Sequence, residues 1–424
     1  MKSIVLVFLW LTSLLYYTSR AATNEFFDYK KRYAPSSSAK VPPEASILKT
    51  YSQLSDIQKA LFLDRYFSNG NTTKSENSIL LQVGDLGINQ ILQIYPLQVL
   101  KQFKNIKTYE ILVPKFTNPD DFISNLRTSF PNINVEKNIE IKSFESSTIS
   151  SNALQIISWE RLLNSIRTDL GPPKGKVKVG ILDTGVENHI DLPRVSNASK
   201  DFNGHGTHVA GLISAIKSNQ LGTDGITSEA ILANYPVLDA SGKGNLIDLI
   251  AGLIKAWKED CKLIQLSIGT YEYSRILYDT LTFLANNNVV MVAAAGNDNS
   301  SQAALPAMHP LVIGVGSHDS NRNPSVFSNH GINQIVSLPG ENIISTLPNN
   351  QFGPMTGTSM AAPLLSGILI ELMSRRTTPL PVLNLVEVFA LHASEVNIEG
   401  KSKHAPLDSF LFFELYKKNA MENL

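Results

Sequence analysis

From Lys176 onward the chain alternates apolar runs with amphipathic stretches, and this rhythm restricts the fold more than any other feature. Val177 to Leu182 is apolar but for Lys178 and Gly180; Ile231 to Leu238, Lys262 to Ile268 and Asn288 to Ala294 follow. Each reads as a strand buried on both faces. His205 to Ile216, Asn245 to Trp257 and Ser274 to Ala285 lie between these runs and read as helices. In the first of them Val209, Leu212, Ile213 and Ile216 share a face; Asn245 stands where a helix cap belongs. Buried strands alternating with helices predict an α/β fold, a doubly wound, mostly parallel sheet with helices on both faces. Ligands of such sheets bind beyond the carboxyl ends of the strands.

The 424 residues exceed one average domain. Residues 1–21 read as a secretory signal: Lys2 is basic, Ile4 to Tyr17 is apolar, and Ser19 and Ala21 are small. The apolar run is short against the about 20 residues of a membrane span. No other stretch is long and apolar enough, so the expectation is a secreted or extracytoplasmic protein with no stable membrane span after signal cleavage. Residues 22–78 form an extension: a linker with Pro35, Pro42 and Pro43, a helical stretch from Ser46 to Phe67, and a polar break from Asn69. Residues 79–150 read as a small α+β unit. Ile79 to Val83, Tyr109 to Val113 and Asn138 to Phe144 are its strands. Asn118-Pro119-Asp120-Asp121 opens a helix whose apolar face is Phe122, Ile123, Leu126 and Phe130. The Ser-rich stretch Glu145 to Ser151 marks a boundary, and residues 151–424 form the main domain.

Lys+Arg and Asp+Glu both number 37, so no basic footprint for nucleic acid exists. Cys261 is the single cysteine, which excludes an internal disulfide and a Cys-rich metal site.

Four segments carry chemistry. Asp183-Thr184-Gly185 ends the first strand, and Gly204-His205-Gly206-Thr207-His208 opens the first helix. Ala293-Ala294-Ala295-Gly296-Asn297 ends a later strand, and Gly357-Thr358-Ser359-Met360-Ala361-Ala362-Pro363 precedes an apolar helix. Taken singly, each has a plain structural reading: a turn carboxylate, a packed histidine, a turn asparagine, a capping serine. His205 and His208 are three apart with no Glu between them, unlike a zinc-protease motif, so no metal ligands are assigned. Together they supply a hydroxyl, a base, a carboxylate to orient the base, and an amide donor for a developing oxyanion.

These four segments resemble the signatures of the subtilisin-like serine proteases, the subtilases. The resemblance implies a subtilisin-like fold over residues 151–424, preceded by an inhibitory propeptide at 79–150. It implies a secreted serine endopeptidase made as a zymogen and acting on protein or peptide substrates, with its own propeptide as intramolecular inhibitor. Ser359 would be the nucleophile, His205 the general base, Asp183 its orienting group and Asn297 the oxyanion donor. Ser267-Ile268-Gly269 and Gly242-Lys243-Gly244-Asn245-Leu246 resemble the two strands that flank a bound substrate, and Ala295-Gly296 lies beside them. Self-cleavage is expected between Ser143 and Asn152. No cofactor is required for catalysis; a structural calcium is allowed by the polar loop Ser218 to Gly225. Asp298 either favours a basic side chain in the first pocket or faces water. The rival reading is an inactive binding protein on the same fold, its cleft plugged by the propeptide.

Overall fold

In the computed structural model the described residues are 78–84, 87–95, 97–113, 118–144, 153–331, 334–378, 381–396 and 405–422. The signal, the extension up to residue 77 and the Glu145 to Ser151 break fall outside them apart from their edges.

The first described unit runs β1 (Ser78–Gln82), α1 (Ile88–Ile94), β2 (Gln98–Phe103), β3 (Thr108–Leu112), α2 (Pro119–Ser129) and β4 (Asn134–Lys137). Its antiparallel sheet has the order β2-β3-β1-β4, a split βαβ arrangement. Asn118 caps α2 by accepting from the Asp120 N–H at 2.9 Å, and Pro119 follows where a missing N–H costs nothing. The pleat explains the unbroken apolar run of β1. Ile79 and Leu81 enter the unit's own core with Phe122 and Leu126, while Leu80 joins the core of the main body.

β5 (Glu140–Ser143) departs from expectation. The stretch Asn138 to Phe144 reads as a strand of the small unit, yet β5 pairs outside that sheet. Periodicity places a strand but does not choose its partner.

The main body opens with α3 (Ala153–Ile156) and α4 (Trp159–Leu170). It continues through β6 (Val177–Asp183), α5 (His205–Ser214), β7 (Ala230–Pro236), β8 (Lys243–Asn245) and α6 (Leu246–Lys258). Then come β9 (Leu263–Leu266), β10 (Ile268–Gly269), α7 (Arg275–Asn286), β11 (Val290–Ala294), β12 (Ile313–His318) and β13 (Gln334–Pro339). A hairpin, β14 (Ile343–Leu347) and β15 (Gln351–Met355), precedes α8 (Thr358–Met373), α9 (Val382–Val396) and α10 (Ser409–Glu422).

Six of these strands form one parallel sheet in the order β13-β12-β11-β9-β6-β7, as the alternation of strands and helices predicts. α5 packs on α8 and α6 on α7. α8 is buried along nearly its whole length, which explains an apolar sequence with little amphipathic pattern. The order reverses between β6 and β9, so the crevice at their carboxyl ends is the place for a ligand.

The small unit docks on the amino ends of two helices. Glu136 Oε1 accepts from the Ile276 N–H of α7 at 2.8 Å, and Asn138 Oδ1 from the Ile247 N–H of α6 at 3.0 Å. Both take up N–H groups that a first helical turn leaves without intrahelical partners. Burial raises the Glu136 carboxyl above its usual range.

Three buried histidines are held neutral, chiefly by burial: His208 is pushed down to about 3, and His309 and His392 to about 4. Their bonds agree. His309 Nδ1 accepts from the Leu311 N–H at 3.1 Å and His392 Nε2 from the Asp408 N–H at 2.9 Å, so protonation there removes an acceptor. Because the folded values lie below the unfolded one, the stability these groups lend is complete above about pH 6.5 and is lost as pH falls toward 4 and then 3. In urea unfolding below pH 6.5, His392→Gln should flatten the fall of stability with pH by up to about 1.4 kcal/mol per pH unit. An unchanged slope would show that His392 is not held neutral.

Candidate active site

Asp183 is the last residue of β6 and is fully buried. Its Oδ1 accepts from the Thr184 N–H at 2.8 Å and from His205 Nδ1 at 2.7 Å. A carboxylate only accepts, so Nδ1 carries the proton, and a neutral ring then has a lone pair on Nε2. His205 is the first residue of α5, which presents it at the carboxyl edge of the sheet.

One carboxylate absent from the sequence-based site holds these two segments together. Asp201 Oδ1 accepts from Thr184 Oγ1 and the Gly204 N–H, both at 2.8 Å. Its Oδ2 accepts from the Thr207 N–H at 2.8 Å and Thr207 Oγ1 at 2.7 Å. Asp201 thereby caps α5 and ties it to the turn after β6. In sequence it is an Asp in a polar turn, with no signal to separate it from any other.

Ser359 is the second residue of α8. Its position follows from a proline. Pro363 lacks an N–H, so the Ser359 carbonyl loses its helical donor. Ser267 Oγ donates to that carbonyl at 2.8 Å instead, and Ser359 Oγ donates back to the Ser267 carbonyl at 3.1 Å. Gln265 Nε2 donates to Ser267 Oγ at 2.9 Å and Ser366 Oγ to Gln265 Oε1 at 2.6 Å, which closes the buried chain on α8.

Asn297 follows the Ala294 end of β11. Its Oδ1 accepts from the Thr358 N–H at 3.0 Å and from Thr358 Oγ1 at 2.9 Å. Thr358 Oγ1 also accepts from the Gly296 N–H at 3.1 Å. With Oδ1 so engaged, the Asn297 amide orientation is fixed, and Nδ2 is buried without a hydrogen-bond partner.

Next to that donor lies the chain's own backbone. β5 pairs antiparallel with β10, Ser143 opposite Ile268 and Lys142 opposite Gly269. On its other side it pairs with β8, Ile141 opposite Gly244 and Glu140 opposite Asn245. The Ser143 N–H donates to the Gly242 carbonyl at 2.9 Å, and the Leu246 N–H to the Ile139 carbonyl at 2.8 Å. The segments expected to flank a substrate therefore hold residues 139–143 between them. Phe144 follows. A Cβ at Gly357 (φ 151°) would fall 2.5 Å from the Phe144 carbonyl oxygen and 2.7 Å from Asn297 Nδ2. Only glycine leaves room there. A Cβ at Gly296 would fall 2.6 Å from the Tyr271 hydroxyl, and the Asn329 N–H donates to the Gly296 carbonyl at 2.9 Å.

His208 turns away from this group. Its Nε2 is 2.9 Å from the Ile343 carbonyl and 3.1 Å from that of Gly353, so it joins α5 to the β14–β15 hairpin. Among the described residues no three His, Cys, Asp or Glu side chains gather to hold a metal ion. Nor is any helix among them long and apolar enough to cross a membrane.

The chain matches a known family. The Subtilase family model matches residues 174–387, half of the chain. Thermostable alkaline protease of Halalkalibacterium halodurans is 30% identical over 315 residues, 71% of this chain and 82% of the relative. M-protease of Shouchella clausii is 36% identical over 200 residues; the match covers 45% of this chain and about half, 52%, of that relative. Among solved structures, fervidolysin from Fervidobacterium pennivorans, a keratinolytic enzyme related to subtilisin, superposes with a TM-score of 0.67. At 20% identity that likeness concerns the fold; it covers 82% of this chain and 62% of the other. The chain belongs to the subtilase family.

Asp201→Ala leaves four donors without their acceptor and should lower stability by about 3 kcal/mol or more in urea unfolding. A loss below about 1 kcal/mol would show that water replaces the carboxylate.

Proposed function

We propose that the chain is a secreted serine endopeptidase made as a zymogen, in which Ser359 attacks, His205 transfers the proton, Asp183 orients the imidazole, and Asn297 with the Ser359 N–H holds the oxyanion. One observation carries this reading: residues 139–144 lie in the cleft as an extended substrate would, ending with the Phe144 carbonyl beside the free Asn297 amide. A strand added between two protein strands is recognised largely through its main chain, so broad sequence tolerance follows.

The same placement supports the Phe144–Glu145 bond as the site of self-cleavage, inside the expected window of Ser143 to Asn152. Ser359 Oγ attacks the Phe144 carbonyl carbon as its proton passes to His205 Nε2. The imidazolium then protonates the Glu145 nitrogen and the C–N bond breaks. Water, deprotonated by His205, releases Phe144 as a carboxylate. Residues up to Phe144 are then a separate inhibitor, held by the β5 pairing and by the Glu136 and Asn138 contacts. Residues 1–21 are read as the signal and 22–78 as the extension before it.

A structural calcium fits the loop Ser218 to Gly225. Asp191 Oδ2 is buried there without a partner, while Oδ1 accepts from Asn219 Nδ2 at 2.5 Å. Calcium takes six to eight oxygens, so carbonyl groups of the loop would complete the set. Its part is to brace the loop. It takes none in the reaction.

Purified wild type should lose everything before Glu145, while Ser359→Ala keeps its full mass; if both stayed intact, the plugged binding protein would be the better reading. Asn297→Ala should slow turnover about 10²–10³-fold, the range found for subtilisin's own oxyanion-hole asparagine. Activity within threefold of wild type would remove Asn297 from the site. Chelator should lower the melting temperature by several degrees, and readdition of calcium should restore it; an unchanged value would exclude the ion.

A further inference from the structure

Phe144 is 2% exposed, and its ring edge lies over Gly269. A Cβ on Gly269 would stand 2.9 Å from Phe144 Cε2 and 3.1 Å from Ala304 Cβ. The outer wall of this pocket is Tyr271, whose ring centroid is 6.4 Å from that of Phe144 at an interplanar angle of 54°. Tyr271 is 46% exposed, but its hydroxyl is tethered. It donates to Asp298 Oδ2 and accepts from Asn329 Nδ2 at 2.6 Å.

Asn329 is an anchor with no spare capacity. Its Nδ2 also donates to the Ala295 carbonyl at 3.0 Å, and its Oδ1 accepts from the Asp298 N–H at 3.0 Å and the Ser300 N–H at 2.9 Å. The wall is therefore braced to the segment that carries Asn297. Asp298 Oδ2 accepts the tyrosine hydroxyl, so this exposed carboxylate takes part in bracing the wall. A lysine meets both rings. Lys142 Nζ lies 5.8 Å from the Tyr271 ring centroid and 5.9 Å from that of Phe144.

Resting on the endopeptidase reading above, the geometry points to Tyr271 as a specificity-determining residue that reads two substrate positions together. One is an aromatic residue at the cleaved bond (P1, the place of Phe144). The other is a lysine or arginine two residues before it (P3, the place of Lys142). The preferred substrate is an extended peptide of pattern basic-X-aromatic, as in Lys142-Ser143-Phe144. An aromatic pair supports the first contact and a cation over a ring the second.

The test uses self-processed enzyme, its active sites counted by fluorophosphonate labelling, and peptides built on Ile-Lys-Ser-Phe. In wild type, P1 Phe should exceed P1 Ala and P1 Lys by about 100-fold in kcat/KM, and P3 Lys should exceed P3 Glu by about fivefold. Tyr271→Ala should cut the P1 preference about tenfold and erase the P3 preference. Tyr271→Phe, which keeps the ring and loses the tether, should retain both within about threefold. Labelled wild type that cleaves P1 Lys as well as P1 Phe, or a labelled Tyr271→Ala variant with both preferences intact, overturns the proposal alone. Absence of labelling in wild type overturns the endopeptidase reading, and this proposal falls with it.

Discussion

The reciprocal bonds between Ser267 and Ser359 are the constraint on which the cleft depends. Ser267 sits where the chain leaves the parallel sheet at β9 and enters the cleft pairing at β10. Pro363 frees the Ser359 carbonyl, and Ser267 Oγ takes it at 2.8 Å. That exchange registers the strand that pairs with the cleft occupant against the helix that carries the proposed nucleophile. Both serines are fully buried beneath residues 139–144, and the Ser359 carbonyl would be costly to leave unpaired. The helix cannot slide along the strand without leaving two buried groups unpaired. Precision at the cleft is thus borrowed from polar satisfaction in the interior.

The small unit uses the same logic at a surface. Apolar burial joins it to the main body through Leu80, Ile106 and Ile141. Burial alone is non-directional. Direction comes from Glu136 and Asn138, which meet N–H groups at the starts of α7 and α6. Lys101 and Asp248 add an exposed pair at 3.0 Å, which contributes little. With the docking angle set, the residues after Asn138 have one direct path, between β8 and β10.

Much of this was legible in the sequence because it is periodic or local. Buried parallel strands read as apolar runs, and Asn245, Ser274 and Asn118 cap their helices through their own side chains. Asp183 stands at a strand end because the apolar run stops there. What escaped was non-local or unpatterned. β2 is exposed or half-buried throughout, so it carries no alternation. The β14–β15 hairpin turns at Asn349 and Asn350, both at φ near 60°, a turn signal that a search for apolar runs passes over. The partners of β5 could not be read because pairing is decided by docking. Asn329 serves Tyr271 across 58 residues of sequence, and nothing near it announces that role.

The division between what is periodic and what is not has a functional side. Main-chain pairing of β5 with two strands is indifferent to side chains, and the pleat then sends them alternately inward and outward. Ile141 and Phe144 are buried, while Lys142 is exposed and meets the rings of Phe144 and Tyr271. Selection must therefore come from the few places where a loop builds a wall, and such walls stand on irregular segments such as 296–300 and the turn that presents Asn329. A scaffold that fixes the reacting groups through its core, and leaves selection to segments outside the sheet, can change substrates without disturbing its chemistry. Tyr271 is the point at which those two layers touch, since its tether runs through Asn329 to Ala295, two residues before the proposed oxyanion donor.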